Sequence, residues 1–166
     1  MQDQGFIPDA ANLRAFRDAL GRFATGITLV TISTDNGPMG FIANSFSGLS
    51  LDPPLVLWSP ARRSNRFAHF AKAPYFAIHV LQHDSLDWIT RFSRDGAGFD
   101  GLNHDVTPEG SPVLNDALAR FDCAQHQTHD GGDHLIIIGR VLRCHSRTGA
   151  PLVFSQGAYG SFIHHS

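Results

Sequence analysis

Ile27-Thr28-Leu29-Val30-Thr31-Ile32-Ser33-Thr34, then Asp35-Asn36-Gly37-Pro38, then Met39-Gly40-Phe41-Ile42-Ala43 is the stretch on which the fold turns. Its first part is almost entirely β-branched residues and leucine, a composition that favours a pleated, half-buried strand. Four turn formers follow, with Asn-Gly in their midst, and an apolar run resumes at once. The segment predicts a β-hairpin and starts the chain towards an antiparallel sheet. Upstream, Asn12 is a candidate N-cap, and Leu13, Phe16, Leu20 and Phe23 recur at helical spacing. They predict an amphipathic helix of about three turns ending near Gly26, whose apolar stripe must cover a sheet or a barrel end.

Downstream, a strand is expected over Gly48 to Leu51. Asp52-Pro53-Pro54 interrupts the ladder, and Leu55 to Trp58 restarts it as a buried strand. A short helix is expected over Ser64 to Lys72, a strand over Tyr75 to Leu81, and a helix capped by Asp84 running through Leu86, Ile89 and Phe92. Ser93 to Leu114 reads as a long loop rich in Gly, Asp, Asn and Pro. Two long strands, Ala117 to Thr128 and His134 to His145, flank Asp130-Gly131-Gly132-Asp133, and a last strand covers Leu152 to Phe154. About seven strands with about three short helices, not alternating regularly, suit a mainly β, Greek-key-like antiparallel barrel with peripheral helices better than a doubly wound sheet.

Composition narrows the function classes. The chain has 166 residues, 13 Lys and Arg against 15 Asp and Glu, and a formal charge of −2. That excludes a nucleic-acid binder working by phosphate neutralisation. The hydrophobic 42% excludes a disordered chain, and no apolar run approaches the ~18 residues of a membrane span. One domain over 12–166, after a short segment 1–11, accommodates this length. Charged residues at 17% leave a surface expected to be covered in part by a partner subunit or a cofactor. Cys123 and Cys144 form no CxxC and fall in expected strands, so both read as buried thiols. Met1 to Asp9 shows no signal-peptide pattern, and a cytoplasmic location is expected.

Three constellations carry candidate chemistry. Asn44-Ser45-Phe46-Ser47-Gly48, with Ser50 and Leu51 beyond it, concentrates small polar side chains and exposed N–H groups between two apolar strands. It reads either as a plain polar turn or as a rim for a heterocycle or phosphate. Arg62-Arg63-Ser64-Asn65-Arg66, at the start of a predicted helix, suits an anion. In His126-Gln127-Thr128-His129-Asp130-Gly131-Gly132-Asp133-His134 a metal site is the tempting reading. However, His126 and His129 fall on opposite faces of a strand, and the better reading aims Asp133 and His134 into a pocket. A Ser45, His134, Asp133 hydrolytic triad lacks the GxSxG elbow. GxGxxG is also missing, so a nucleotide would need a different scaffold.

Together these segments resemble the short-chain flavin reductase family, the FMN-binding split-barrel proteins that serve as reductase components of two-component monooxygenases. The resemblance runs from about Leu13 to Tyr159. It is carried by Phe16-Arg17-Asp18-Ala19-Leu20-Gly21-Arg22-Phe23-Ala24-Thr25-Gly26-Ile27-Thr28, by Ala43-Asn44-Ser45-Phe46 with Ser50-Leu51-Asp52-Pro53-Pro54-Leu55-Val56-Leu57, and by Gly132-Asp133-His134.

The resemblance implies a homodimer of split barrels that reduces FMN or FAD with NADH or NADPH and serves a partner oxygenase. It places Asn44, Ser45, Phe46, Ser47, Gly48, Ser50 and Leu51 against the flavin, and Ser64, Asn65 and Arg66 at its ribityl-phosphate end. His134, with Phe154, Ser155, Gln156 and Gly157, borders the nicotinamide nucleotide. Ser45 or neighbouring N–H groups are expected to stabilise the reduced flavin, and His134 to orient the nicotinamide. No metal is implied. Trp58, which taken singly reads as core, is bulkier than the small or aliphatic residue expected at its position and would narrow the pocket or shift flavin preference. The class rival is a flavin protein that keeps its flavin and passes electrons to a corrinoid or another protein; a barrel used only for interactions is the third reading.

Overall fold

The computed structural model describes residues 5–163. The hairpin forms as its sequence predicts. Strands β1 (Thr25–Gly26) and β2 (Thr28–Thr34) lead into β3 (Gly37–Ala43), with Thr28 opposite Ala43 and Thr34 opposite Gly37, so Asp35-Asn36 makes the turn. Gly37 has φ +106, a conformation that glycine alone adopts freely. Around the hairpin grows an antiparallel sheet in the order β3-β2-β6-β9-β10-β5-β4, with β4 Ser47–Leu51, β5 Pro54–Trp58, β6 Tyr75–Val80, β9 Ala119–Gly131 and β10 His134–Ser146. Its two edges, β3 and β4, are consecutive in the chain and separated only by residues 44–46. Three residues span at most ~11 Å, so the sheet has to curl until its edges meet at that corner. The expected mainly β barrel is thereby formed.

Inside the curl lie Val30, Ile32, Trp58, Phe70, Phe76 and Ile137, all buried. Trp58 is fully buried against Phe41 and Phe70 at 5.7 and 5.5 Å between ring centroids. It fills the barrel instead of narrowing a surface pocket, because its position alternates inward on β5. A second cluster gathers Ile27, Leu29, Leu81, Trp88, Phe92 and Leu152 beneath helix α3 (Leu86–Phe92). There a Cβ on Gly40 would stand 2.4 Å from Phe92 Cδ1 and 2.9 Å from Leu29 Cδ1. Gly40→Ala is therefore expected to cost about 1–3 kcal/mol by overpacking, read as a lowered Tm.

Several expectations are corrected. Helix α1 (Leu13–Leu20) is shorter than about three turns and ends at Gly21, and none of its residues is buried. Much of its stripe stays open: Leu13 is 52% and Leu20 58% exposed, and Phe23 beyond it 78%. Asn12 caps no helical N–H; its amide donates to the Ile7 carbonyl and its Oδ1 accepts from the Asp9 N–H. Gly26 belongs to β1, which pairs with β11 (Leu152–Ser155). Helix α2 (Phe67–Lys72) begins after Arg66, and α3 follows Ser85 instead of Asp84. The long hairpin is longer than expected, because Gly131 pairs with His134 and Asp130 with Leu135, leaving Gly132-Asp133 as the turn.

Besides β1, three strands escape a sequence reading because they are too short to show alternation. They are β7 (Asp105–Val106) and β8 (Pro112–Val113), paired inside the long loop, and β12 (Ala158–Ser161), reached through Gln156 and Gly157 at φ 50 and 81. Cys123 is buried, and desolvation pushes its thiol up to about 12. Cys144 is exposed, contrary to expectation, since it pairs with Phe121 beyond the stretch of β10 that β5 covers.

Candidate functional site

The corner where the sheet edges meet is built by Asn44, Ser45 and Phe46. The Ser45 hydroxyl accepts the Ser59 N–H at 2.9 Å and donates to the Ser59 carbonyl at 3.3 Å, so it fastens the exit of β3 to the exit of β5. Phe46 is half-buried and stacks on Phe121 at 5.4 Å. Asn44 is exposed at the mouth of a cleft of about 180 Å³ whose walls are Ile27, Ile42, Ala43, Phe154 and Tyr159. The Phe154 and Tyr159 rings lie 5.3 Å apart. Phe154 also walls a wider cleft with Gln156, Gly157, Arg17 and Arg22. The Gln156 N–H and the Ser155 hydroxyl both donate to the Gly21 carbonyl, tying that turn to the end of α1. Along β4, Gly48 and Ser50 flank an irregularity in the pairing with β5, while Ser47 donates to the Gly48 carbonyl and Leu51 is 97% exposed.

From Ser59 the rim continues to the tip of the β9–β10 hairpin. The Leu135 N–H donates to the Pro60 carbonyl, Ala61 bridges to His134, and the Arg62 N–H donates to the Asp133 carbonyl. His134 donates from Nδ1 to Asp133 at 2.7 Å, a bond that holds the Asp133 carboxyl below its usual range. Of the three arginines expected to greet an anion, two have partners within the chain. Arg62 holds Asp130 and the Gly132 carbonyl. Arg66 donates to the carbonyls of Gly40 and Phe92 at 2.9 and 2.8 Å and lies 4.5 Å from the Phe41 ring centre, where burial lowers its pKa. Arg63 and Asn65 are exposed beside them, and Ser64 accepts from the Arg66 N–H.

Residues 20–162 match the family model described as the flavin reductase like domain. The chain belongs to this flavin reductase family. It is 52% identical over 157 residues to the FMN reductase (NADH) SmoA of Agrobacterium fabrum, covering 95% of this chain and 90% of that one. With the reductase subunit HsaB of a flavin-dependent monooxygenase from Rhodococcus jostii it shares 40% over 159 residues, 95% of this chain and 82% of that one. Among solved structures, the Streptomyces globisporus NADH:FAD oxidoreductase SgcE6, in complex with NAD and FAD fragments, superposes with a TM-score of 0.87 at 30% identity, covering 96% of this chain and 98% of that one.

The cleft beside Asn44 has walls of the kind a heterocycle needs. Ile27, Ile42 and Phe154 offer apolar faces, and the Asn44 amide supplies donors and an acceptor at the edge, the pattern of a heterocycle site. At about 180 Å³ it is smaller than the roughly 300–1,000 Å³ of small-molecule sites. Ser45 differs from its expected role in one respect: its hydroxyl is spent on Ser59, so the corner presents the Asn44 side chain and main-chain groups. Sequence reasoning missed Ile27, Ile42 and Tyr159 as walls and Arg62 as the residue that contacts the hairpin tip. Only Gln156-Gly157, a turn that folds Tyr159 back on Phe154, carried a local signal for any of them. Among the described residues, no three His, Cys, Asp or Glu side chains are grouped to hold a metal.

Proposed function

We propose that this chain is an NAD(P)H:flavin oxidoreductase that holds FMN or FAD in the cleft beside Asn44, admits NADH or NADPH at the Asp133–His134 end of the same rim, and supplies reduced flavin to a partner oxygenase. One observation carries this reading: contacts connect Asn44-Ser45 through Ser59, Pro60 and Ala61 to His134, so an apolar cleft and a histidine–carboxylate pair share one rim. Bound flavin supplies the acceptor for the hydride of the reduced nicotinamide. The chain's own work is positioning. Ile27, Ile42 and Phe154 exclude water from one side, Asn44 orients a ring edge, and Asp133 fixes Nδ1–H of His134 so that Nε2 is the ring nitrogen left for the nucleotide.

The test is oxidation of NADH and of NADPH with FMN and with FAD in turn, with cytochrome c trapping released reduced flavin. Turnover with trapping is expected. Absence of nicotinamide oxidation overturns the reading, and turnover with retained flavin and no trapping replaces release by direct electron transfer. For His134→Ala the expected result is a KM for the reduced nucleotide raised about tenfold, or ~1.4 kcal/mol of binding, with kcat preserved. An unchanged KM removes His134 from the nucleotide site.

The functional form in this reading is a homodimer of one flavin reductase domain spanning 12–166, located in the cytoplasm. The exposed stripe of α1 and exposed Leu49 and Leu51 support the second copy. Light scattering after gel filtration is expected to give twice the 18.1 kDa chain mass; a monomer overturns this part alone.

A further inference from the structure

We infer that Arg62 is the positioning residue of the Asp133–His134 pair: it pins the tip of the long hairpin to the barrel and so sets where His134 stands. The inference rests on the reading that His134 meets the reduced nucleotide.

The tip needs such a device. Strand β6 accompanies β9 only as far as Ala124, and β5 accompanies β10 only between Ile137 and Arg140. Beyond Gln125, whose N–H still meets the Pro74 carbonyl, the ribbon has no neighbour among the described strands until Pro60 to Arg62 meet residues 133–135, and an isolated two-stranded hairpin is marginally stable in water. The turn adds freedom, since Gly131 and Gly132 are consecutive and Gly132 sits at φ +73.

Arg62 meets this ribbon at three successive points. Its Nε donates to the Gly132 carbonyl at 3.1 Å, its Nη2 donates to Asp130 Oδ1 at 2.7 Å, and its main-chain N–H donates to the Asp133 carbonyl at 2.9 Å. From behind, its guanidinium lies 5.6 Å from the ring centre of Phe67, the first residue of α2. The guanidinium fork thus reaches the end of β9 and the turn at once, whereas an ammonium on a flexible stem reaches one acceptor at a time. Gly132 and Asp130 take Nε and Nη2 of the guanidinium, and the Asp130 carboxylate stands on the side from which an anion would approach those two donors. That makes Arg62 a residue acting through His134 instead of a phosphate ligand.

The experiment is a double-mutant cycle on the full-length protein, with KM for NADH and kcat read separately at saturating flavin. Arg62→Ala is expected to raise KM about fivefold with kcat within twofold, and to add nothing further in a His134→Ala background. Asp130→Asn, which removes the ion pair and leaves the Gly132 contact, and Arg62→Lys are expected to fall between wild type and Arg62→Ala. Amide exchange at Leu135, whose N–H is bonded to Pro60, is expected to quicken in Arg62→Ala while Tm holds. If His134→Ala raises KM and Arg62→Ala does not, the inference fails and the nucleotide site stands. If the two effects are additive, Arg62 binds the nucleotide directly and the positioning role is overturned. If His134→Ala leaves KM unchanged, the reading of the site fails and the inference falls with it.

Discussion

Asp122→Ala is expected to cost about 3–5 kcal/mol of stability, because it removes one partner from a buried ion pair and leaves the other uncompensated. Asp122 is 2% exposed. Its carboxylate accepts from Arg120 Nε at 2.9 Å and Arg143 Nε at 3.2 Å, and His145 Nε2 stands 3.9 Å away. The Arg120 side chain is itself only 14% exposed, so it cannot turn to water without breaking the packing around it. Arg143 also bonds Glu109, whose carboxyl is held below its usual range by that bond, and so ties the hairpin to the loop carrying β7 and β8. Urea unfolding at fixed protein concentration tests this: the midpoint should fall at unchanged m. A loss below about 1 kcal/mol, the scale of exposed pairs, would show that Asp122 contributes no more than a surface contact.

The second large effect is on acid stability, through His79. Its side chain is fully buried between β2 and the end of the long loop, with Nδ1–H donating to the Leu29 carbonyl at 3.0 Å and Nε2 accepting the Leu114 N–H at 3.1 Å. Acceptance at Nε2 requires the neutral ring, whereas the Nδ1–H bond to Leu29 suits either form, and burial depresses the pKa from 6.5 to about 4. Between these values the unfolded chain takes up a proton that the folded chain refuses, so the unfolded state binds more protons and stability rises with pH. In the other direction, stability is lost as pH falls from 6.5 towards about 4, by about 3 kcal/mol in all, and no more is lost below. His79→Asn, which cannot titrate, is expected to flatten this slope. Equal slopes for variant and wild type between pH 6.5 and 4 would assign the acid sensitivity elsewhere. His79 pairs with Arg120 across β6 and β9, and Asp122 offsets that charge. Asp122→Ala therefore should carry the same loss on to lower pH.

The sequence announced the hairpin of β2 and β3, the polar corner after it and the Gly-Asp-His turn because each is a local pattern with a local cause. Asn36-Gly37 dictates a turn whatever surrounds it. What it withheld were properties of distance. Ser45 looks like a ligand group until Ser59, fourteen residues later, is seen to occupy its hydroxyl. Arg66 reads as a free cation in sequence, and its Nη1 is found on the carbonyls of Gly40 and Phe92. The α1 stripe looked like core because periodicity marks an apolar face without naming what covers it.

Seen mechanically, the hairpin of β9 and β10 is a beam. From Arg143 to His134 it extends about 30 Å at the rise of an extended strand. Held at its base alone, a tilt of about 2° would swing the far end by about 1 Å, enough to spoil a reactive geometry. With Asp122 holding one end and Arg62 the other, a defect at the base bows the span instead of swinging the tip. Damage near Asp122 should therefore appear in melting curves and spare nucleotide affinity, while release at Arg62 should do the reverse.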